Sequence, residues 1–190
     1  MEAFLVSAGL VAIAEIGDKT QLLALMLATR FGKPVPIILG ILAATLANHA
    51  LAAWVGMSVA DWLGPTALRW ILAALFVGMA VWSLIPDRAN EDRPTARNAG
   101  AFVATAIAFF LVEIGDKTQI ATAALAARFH DLPQVVAGTT LGMLLADVPA
   151  VLFGDVLSRY VSLRLVRALA AGSFAVLGAL SLFGVGIDLP

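Results

Sequence analysis

Residues 15–21 read EIGDKTQ, and residues 113–119 read EIGDKTQ again. Each copy sets two carboxylates, a lysine, a hydroxyl and an amide inside a long apolar stretch. Glu15 and Asp18 are three residues apart, a spacing that on a continuous helix projects both carboxylates from one face. Glu113 and Asp116 repeat it. Carboxylates, the amide oxygens of Gln21 and Gln119, and the hydroxyls of Thr20 and Thr118 are hard oxygen donors suited to Mg²⁺, Ca²⁺ or Mn²⁺. Gly17 and Gly115, lying between the acids, weaken a helix and let backbone or ion approach closely. These two glycines and the two threonines are expected to support the site rather than to be its main ligands.

Charge at the centre of a membrane helix is costly, at roughly 2.5–3.5 kcal/mol per residue. Four acids would cost on the order of 10 kcal/mol if nothing compensated them. The plain structural reading compensates them with lysine, pairing Glu15 with Lys19 and Glu113 with Lys117 at the favourable i,i+4 spacing. That leaves Asp18 and Asp116 unanswered, and a purely structural scaffold gains nothing from buried charge over apolar packing. A cation site is therefore the favoured reading.

Further polar residues lie at similar depth. Asn48 and His49 fall mid-way along a second apolar stretch, and Asp147 mid-way along a fifth. A lone His at such depth is often a hydrogen-bonded packing residue, whereas an intramembrane Asp marks a functional site by default. Asp155 reads as an interfacial charge. The expected metal-binding set is Glu15, Asp18, Gln21, Asn48, His49, Glu113, Asp116, Gln119 and Asp147. Glu15, Lys19, Glu113 and Lys117 are expected to balance charge or carry protons. Five acids against two lysines leave a formal charge of −3 with neutral histidine. Crowded, buried carboxylates resist ionising together, so the empty site should take up protons. Protons and metal would then compete for the same oxygens, the basis of an antiporter.

These groups need helices to hold them in a membrane. Of 190 residues, 61% are hydrophobic and 13% charged, far from the balance of a soluble domain. Mean hydropathy is +0.95. A net charge of −1 gives no basic face for nucleic acid, and the absence of cysteine excludes disulfides and thiolate metal sites. The first residues, MEAFLVSAGL, lack the positive region of a signal peptide and are expected to be a retained helix. Spans of about 20 apolar residues are predicted near 3–28, 35–59, 67–85, 99–126, 133–155 and 165–187, separated by turn-forming segments such as RFGKPVP and DWLGPT.

The chain divides into a first three-helix repeat (1–85), a charged connector (86–98) and a second three-helix repeat (99–190). At a constant offset of 98 residues the heptapeptides coincide, Leu27–Phe31 meets Leu125–Phe129, Gly40 meets Gly138, His49 meets Asp147 and Gly56 meets Gly154. Three spans per half is odd, so the halves should enter the membrane from opposite sides. The positive-inside rule collects Arg30, Lys33, Arg88, Arg93, Arg97, Arg159, Arg164 and Arg167 on one side, against Arg69 and Arg128 on the other. The connections 1–2, 3–4 and 5–6 are thus expected in the cytoplasm and both termini outside. The fold class expected is an all-α integral membrane protein of six transmembrane helices in two inverted repeats, an architecture common among secondary transporters.

A doubled E-x-G-D-[KR]-[ST] motif in a six-span chain resembles the cation/proton exchanger family of the Golgi manganese–calcium transporters, whose bacterial members include manganese exporters of the MneA type. Glu15, Gly17, Asp18, Lys19 and Thr20 match it, as do Glu113, Gly115, Asp116, Lys117 and Thr118. The resemblance covers essentially the whole chain. It implies proton-coupled transport of Mn²⁺ or Ca²⁺ as substrate, with the motif acids carrying metal and protons and no resident cofactor. The connector is shorter than in many eukaryotic relatives, and Asn48, His49 and Asp147 lie outside the motif. An imidazole beside carboxylates favours Mn²⁺ over Ca²⁺, which with the compact, bacterial-like size points to manganese export across a bacterial inner membrane, with Ca²⁺/proton antiport as the runner-up.

Three other readings stay open. The same acids could line a divalent-cation channel. A similar fold could export small organic cations, although Trp54 and Trp82 are the only tryptophans well inside spans, which offers little aromatic pocket. The duplication could be a scaffold. No nucleophile–base constellation or phosphate loop indicates an enzyme. Partners are a divalent ion, protons and membrane lipid; glycine-rich faces, Gly172 with Gly178 and Gly184 with Gly186, leave monomer and homodimer both possible.

Overall fold

A computed structural model of the chain describes residues 1–85, 100–154 and 162–185. The charged connector, Asp155, Arg159 and Gly186 lie outside the described residues. Within them the chain is helical: α1 (Glu2–Glu15), α2 (Lys19–Phe31), α3 (Pro34–Trp62), α4 (Pro65–Ser83), α5 (Ala101–Glu113), α6 (Lys117–Phe129), α7 (Leu132–Phe153) and α8 (Leu163–Leu182). Four of these, α3, α4, α7 and α8, are long and apolar enough to cross a membrane. Proline in the first turn of α3, α4 and α7 costs no hydrogen bond there and starts each one cleanly.

The two stretches that carry the heptapeptide are not the continuous helices expected over 3–28 and 99–126. Each is broken inside the motif. Helix α1 ends at Glu15, Ile16 is extended, Gly17 takes φ +80°, and α2 begins after Asp18. The second copy does the same, with Ile114 extended and Gly115 at φ +76°. A side chain in that left-handed region costs roughly 1–2 kcal/mol, so glycine is what makes the break possible. Gln21 and Gln119 then hold it. The Gly17 N–H donates to Gln21 Oε1 at 3.0 Å, and the Gly115 N–H to Gln119 Oε1 at 2.7 Å. Thirteen or fourteen residues in each half-helix rise only about 20 Å, short of the roughly 30 Å hydrocarbon core.

Packing crosses between the halves of the chain. Helix α1 lies along α7, and its counterpart α5 lies along α3; α2 meets α7 as α6 meets α3. Small residues permit the approach. A methyl group on Gly138 would come 2.5 Å from the Phe4 carbonyl and 2.9 Å from Ser7 Cβ, and one on Gly40 would come 2.7 Å from Thr105 Cβ. Ser7 and Thr105 are themselves equivalents at the 98-residue offset. Helices α4 and α8 pack together, with Phe76 and Phe174 stacked at 6.5 Å between ring centres. Large apolar side chains such as Leu39, Leu46, Trp54 and Val55 on α3 face outward, as a lipid-facing surface requires.

Candidate cation site

Because each motif straddles a break, its residues serve two elements. Glu15 closes α1, Asp18 precedes α2, and Lys19 opens it; Glu113, Asp116 and Lys117 do the same for α5 and α6. The three-residue spacing of the acids therefore does not give one helical face. Each Asp sits where it could cap its own half-helix, yet neither makes a side-chain cap bond. Both reach across instead. Lys19 Nζ lies 2.6 Å from Asp116 Oδ1, and Lys117 Nζ lies 3.1 Å from Asp18 Oδ1. This corrects the expected pairing of Glu15 with Lys19 and Glu113 with Lys117, which a continuous helix would have favoured.

The crossed ion pairs bring acids of both copies together. One carboxylate oxygen from each of Glu15, Asp18 and Asp116 falls within 4.8 Å of the others, and all three residues are buried. Thr20 Oγ1 donates to Glu15 Oε2 at 2.5 Å. Thr118 Oγ1 is within reach of Glu113 Oε2 at 3.1 Å and of Asp116 Oδ2 at 3.3 Å, which ties Glu113 to the edge of the same cluster. Glu15 Oε1 and Glu113 Oε1 are buried without a hydrogen-bond partner. Left so, a buried ionised oxygen is severely penalised; a proton or a metal ion would relieve it.

The remaining expected ligands are placed differently. Asp147 on α7 is fully buried, and both its oxygens lack a hydrogen-bond donor. Asn48 spends its amide N–H on the Phe110 carbonyl at 3.0 Å and keeps Oδ1 unpartnered. His49 is buried with both ring nitrogens unpartnered, in no bond with the acids. The Gln21 and Gln119 oxygens, expected as ligands, are occupied by the backbone at the breaks, and Gln21 Nε2 donates to the Ala146 carbonyl at 2.9 Å. The sequence reading passed over the hydroxyls of Ser7, Thr45 and Thr140, which are buried and unpartnered. Their signal was helical spacing: Thr45 lies one turn before His49, and Thr140 two turns before Asp147.

Membrane-length helices around a buried, acidic, hard-oxygen centre define a membrane transport protein for cations. The chain belongs to the divalent cation/proton antiporter GDT1 family, which it matches over residues 3–91 and 101–186. A Vibrio cholerae protein whose name marks it as a candidate manganese exporter is 52% identical over 184 residues, covering 96% of this chain and 92% of that one. The chloroplastic PAM71-homolog of Arabidopsis thaliana is 28% identical, covering 96% of this chain and 59% of its own. GDT1-like protein 5 of the same plant is 27% identical, with 96% of both covered. No solved structure matches the chain. The family read from the doubled heptapeptide is thus the family found, and the protein is a transporter rather than an enzyme.

Proposed function

We propose that the protein exports Mn²⁺ from the cytoplasm in exchange for protons, through the acidic cluster where the two broken helices meet. The observation that carries this reading is the convergence of Glu15, Asp18 and Asp116 from both copies of the motif, buried and within 4.8 Å of one another. Counting Glu113 and Asp147 with these three acids, and the two lysines against them, gives a formal charge of −3. One divalent ion reduces that to −1, and protons do the same work when the ion leaves.

In this reading α1 with α2, and α5 with α6, each make one broken crossing, for six in all. The two three-helix halves run in opposite directions, with both termini outside a bacterial inner membrane. The 98-residue offset and the crossed packing of α1 on α7 and α5 on α3 support it. Broken helices meeting at a central site are a recurrent device of secondary transporters, which favours a carrier over a channel. Asp147 and Asn48 belong to the proposed ligand set through their unpartnered buried oxygens, and Glu113 to proton binding.

The choice of manganese rests on the V. cholerae relative's name. Calcium is the second reading, because the assembled donors are all oxygens and His49 stands apart from them, an arrangement that suits Ca²⁺. Reconstituted vesicles with internal pH recorded beside Mn²⁺ and Ca²⁺ movement decide both questions. Mn²⁺ flux with opposite proton flux is the expected result. Metal flux indifferent to the proton gradient at every pH would overturn antiport, and a faster, competing Ca²⁺ flux would replace manganese.

A further inference from the structure

The crossed ion pairs are not equivalent. Asp18 and Asp116 are both buried, but the Lys19 side chain is 24% exposed and the Lys117 side chain 7%. The elements behind them differ in the same sense. Helix α6 buries residues almost all round, including Ala121, Ala124, Leu125, Ala126, Ala127 and Phe129, whereas α2 buries chiefly Thr20, Leu23, Ala24 and Leu27. Gly56 of α3 presses directly on the Ala123 backbone of α6. One half-helix is thus clamped among the described residues and the other has a partly open face.

Asp116 is the meeting point of two demands. It supplies an oxygen to the buried triad with Glu15 and Asp18, while Oδ1 is held by Lys19 and Oδ2 lies beside the Thr118 hydroxyl. An ammonium 2.6 Å from a carboxylate oxygen and a divalent ion bound by the same carboxylate repel one another and compete for the same charge. Of the two lysines, Lys19 is the more exposed.

Resting on the cation-site reading above, we propose that Lys19 is a tethered counter-cation which the transported ion displaces from Asp116, while Lys117 keeps its hold on Asp18. Lys19 is then a positioning residue. It occupies the charge of the empty site, yields on loading, and returns as the ion leaves, so that the ion is never held too tightly to be released. A merely structural salt bridge would be untouched by metal.

The test uses the intact protein in detergent micelles. Mn²⁺ binding is followed by equilibrium dialysis, and lysine accessibility by a water-soluble amine-acetylating reagent read by peptide mass spectrometry. Saturating Mn²⁺ should raise acetylation of Lys19 several-fold and leave Lys117 slow. Lys19→Gln should bind Mn²⁺ about tenfold more tightly, a coupling in the usual range for linked sites, yet transport it more slowly; Lys19→Arg should restore both. If Mn²⁺ binds and Lys19 acetylation stays level or falls, the displacement is wrong and the cation site stands. If neither Mn²⁺ nor Ca²⁺ binds, the site itself is wrong and the displacement goes with it.

Discussion

At the scale of single residues, the centre depends on carboxylates that answer to groups in the other half of the chain. Asp116→Asn leaves Lys19 facing a neutral amide and removes a charged oxygen from the triad. Asp18→Asn does the same to Lys117. Either change should lower Mn²⁺ efflux by more than the roughly 10–100-fold that loss of an outer-shell partner brings at a metal site. Vesicle flux measures this, with membrane insertion checked by protein level; near-normal flux would remove the acid from the site. His49→Ala, by contrast, should leave the ratio of Mn²⁺ to Ca²⁺ transport unchanged, since the ring bonds to none of the acids. A fall in that ratio would make the imidazole a manganese ligand. The acids themselves were legible in the sequence because charge at apolar depth is conspicuous and here occurs twice. Their partners were not. The i,i+4 rule that paired Glu15 with Lys19 presumes an unbroken helix, and the break lies between those two residues.

At the scale of elements, the breaks are made by glycine and fastened by glutamine. Hydropathy located the stretches near 3–28 and 99–126 but could not show that each is two helices, because an apolar window averages over a three-residue kink. The glycines inside the motif gave the hint that helix is weakened there. Gly115→Ala isolates the backbone term, since a methyl there meets nothing within 4 Å while the φ of +76° remains unfavourable. It should cost about 1–2 kcal/mol and reduce transport by straightening the motif. Gly56→Ala would drive a methyl into the Ala123 backbone and should cost about 1–3 kcal/mol through overpacking. Gly9→Ala, in open space, is the neutral control. Thermal unfolding in detergent ranks the three; a Gly56→Ala melting temperature equal to that of Gly9→Ala would mean that the α3–α6 contact yields.

At the scale of the whole molecule, equivalent positions in the two halves have taken different work. Arg30 and Arg128 correspond at the 98-residue offset, and each guanidinium lies over the phenylalanine that follows it, at 5.2 and 5.5 Å. Arg30 is exposed, whereas Arg128 is buried and donates to Ser181 Oγ at 2.5 Å and to the Val185 carbonyl at 2.7 Å, fastening the end of α8. Arg128→Ala should therefore lower the melting temperature by several degrees and Arg30→Ala by almost nothing; equal effects would show that the α8 anchor carries no stability. The same divergence appears where α2 and α6 end, with Gly32 in the left-handed cap of one and His130 in that of the other, the imidazole 2.8 Å from Asp61. The register of matches was visible in the sequence, while the different contacts of the matched residues needed the structure.

The crossed lysine–aspartate pairs have one more consequence. In a two-fold symmetric dimer, residue i of one subunit touches residue j of its mate, and j touches i in return. Lys19 with Asp116 and Lys117 with Asp18 follow that rule inside one polypeptide. On the proposed two-repeat reading, each half pairs with the other as a sister subunit would. Severed at residues 86–98 and made as two separate chains in the same cell, the halves should find each other and recover transport. Either half alone would carry a lysine and an aspartate without their mates.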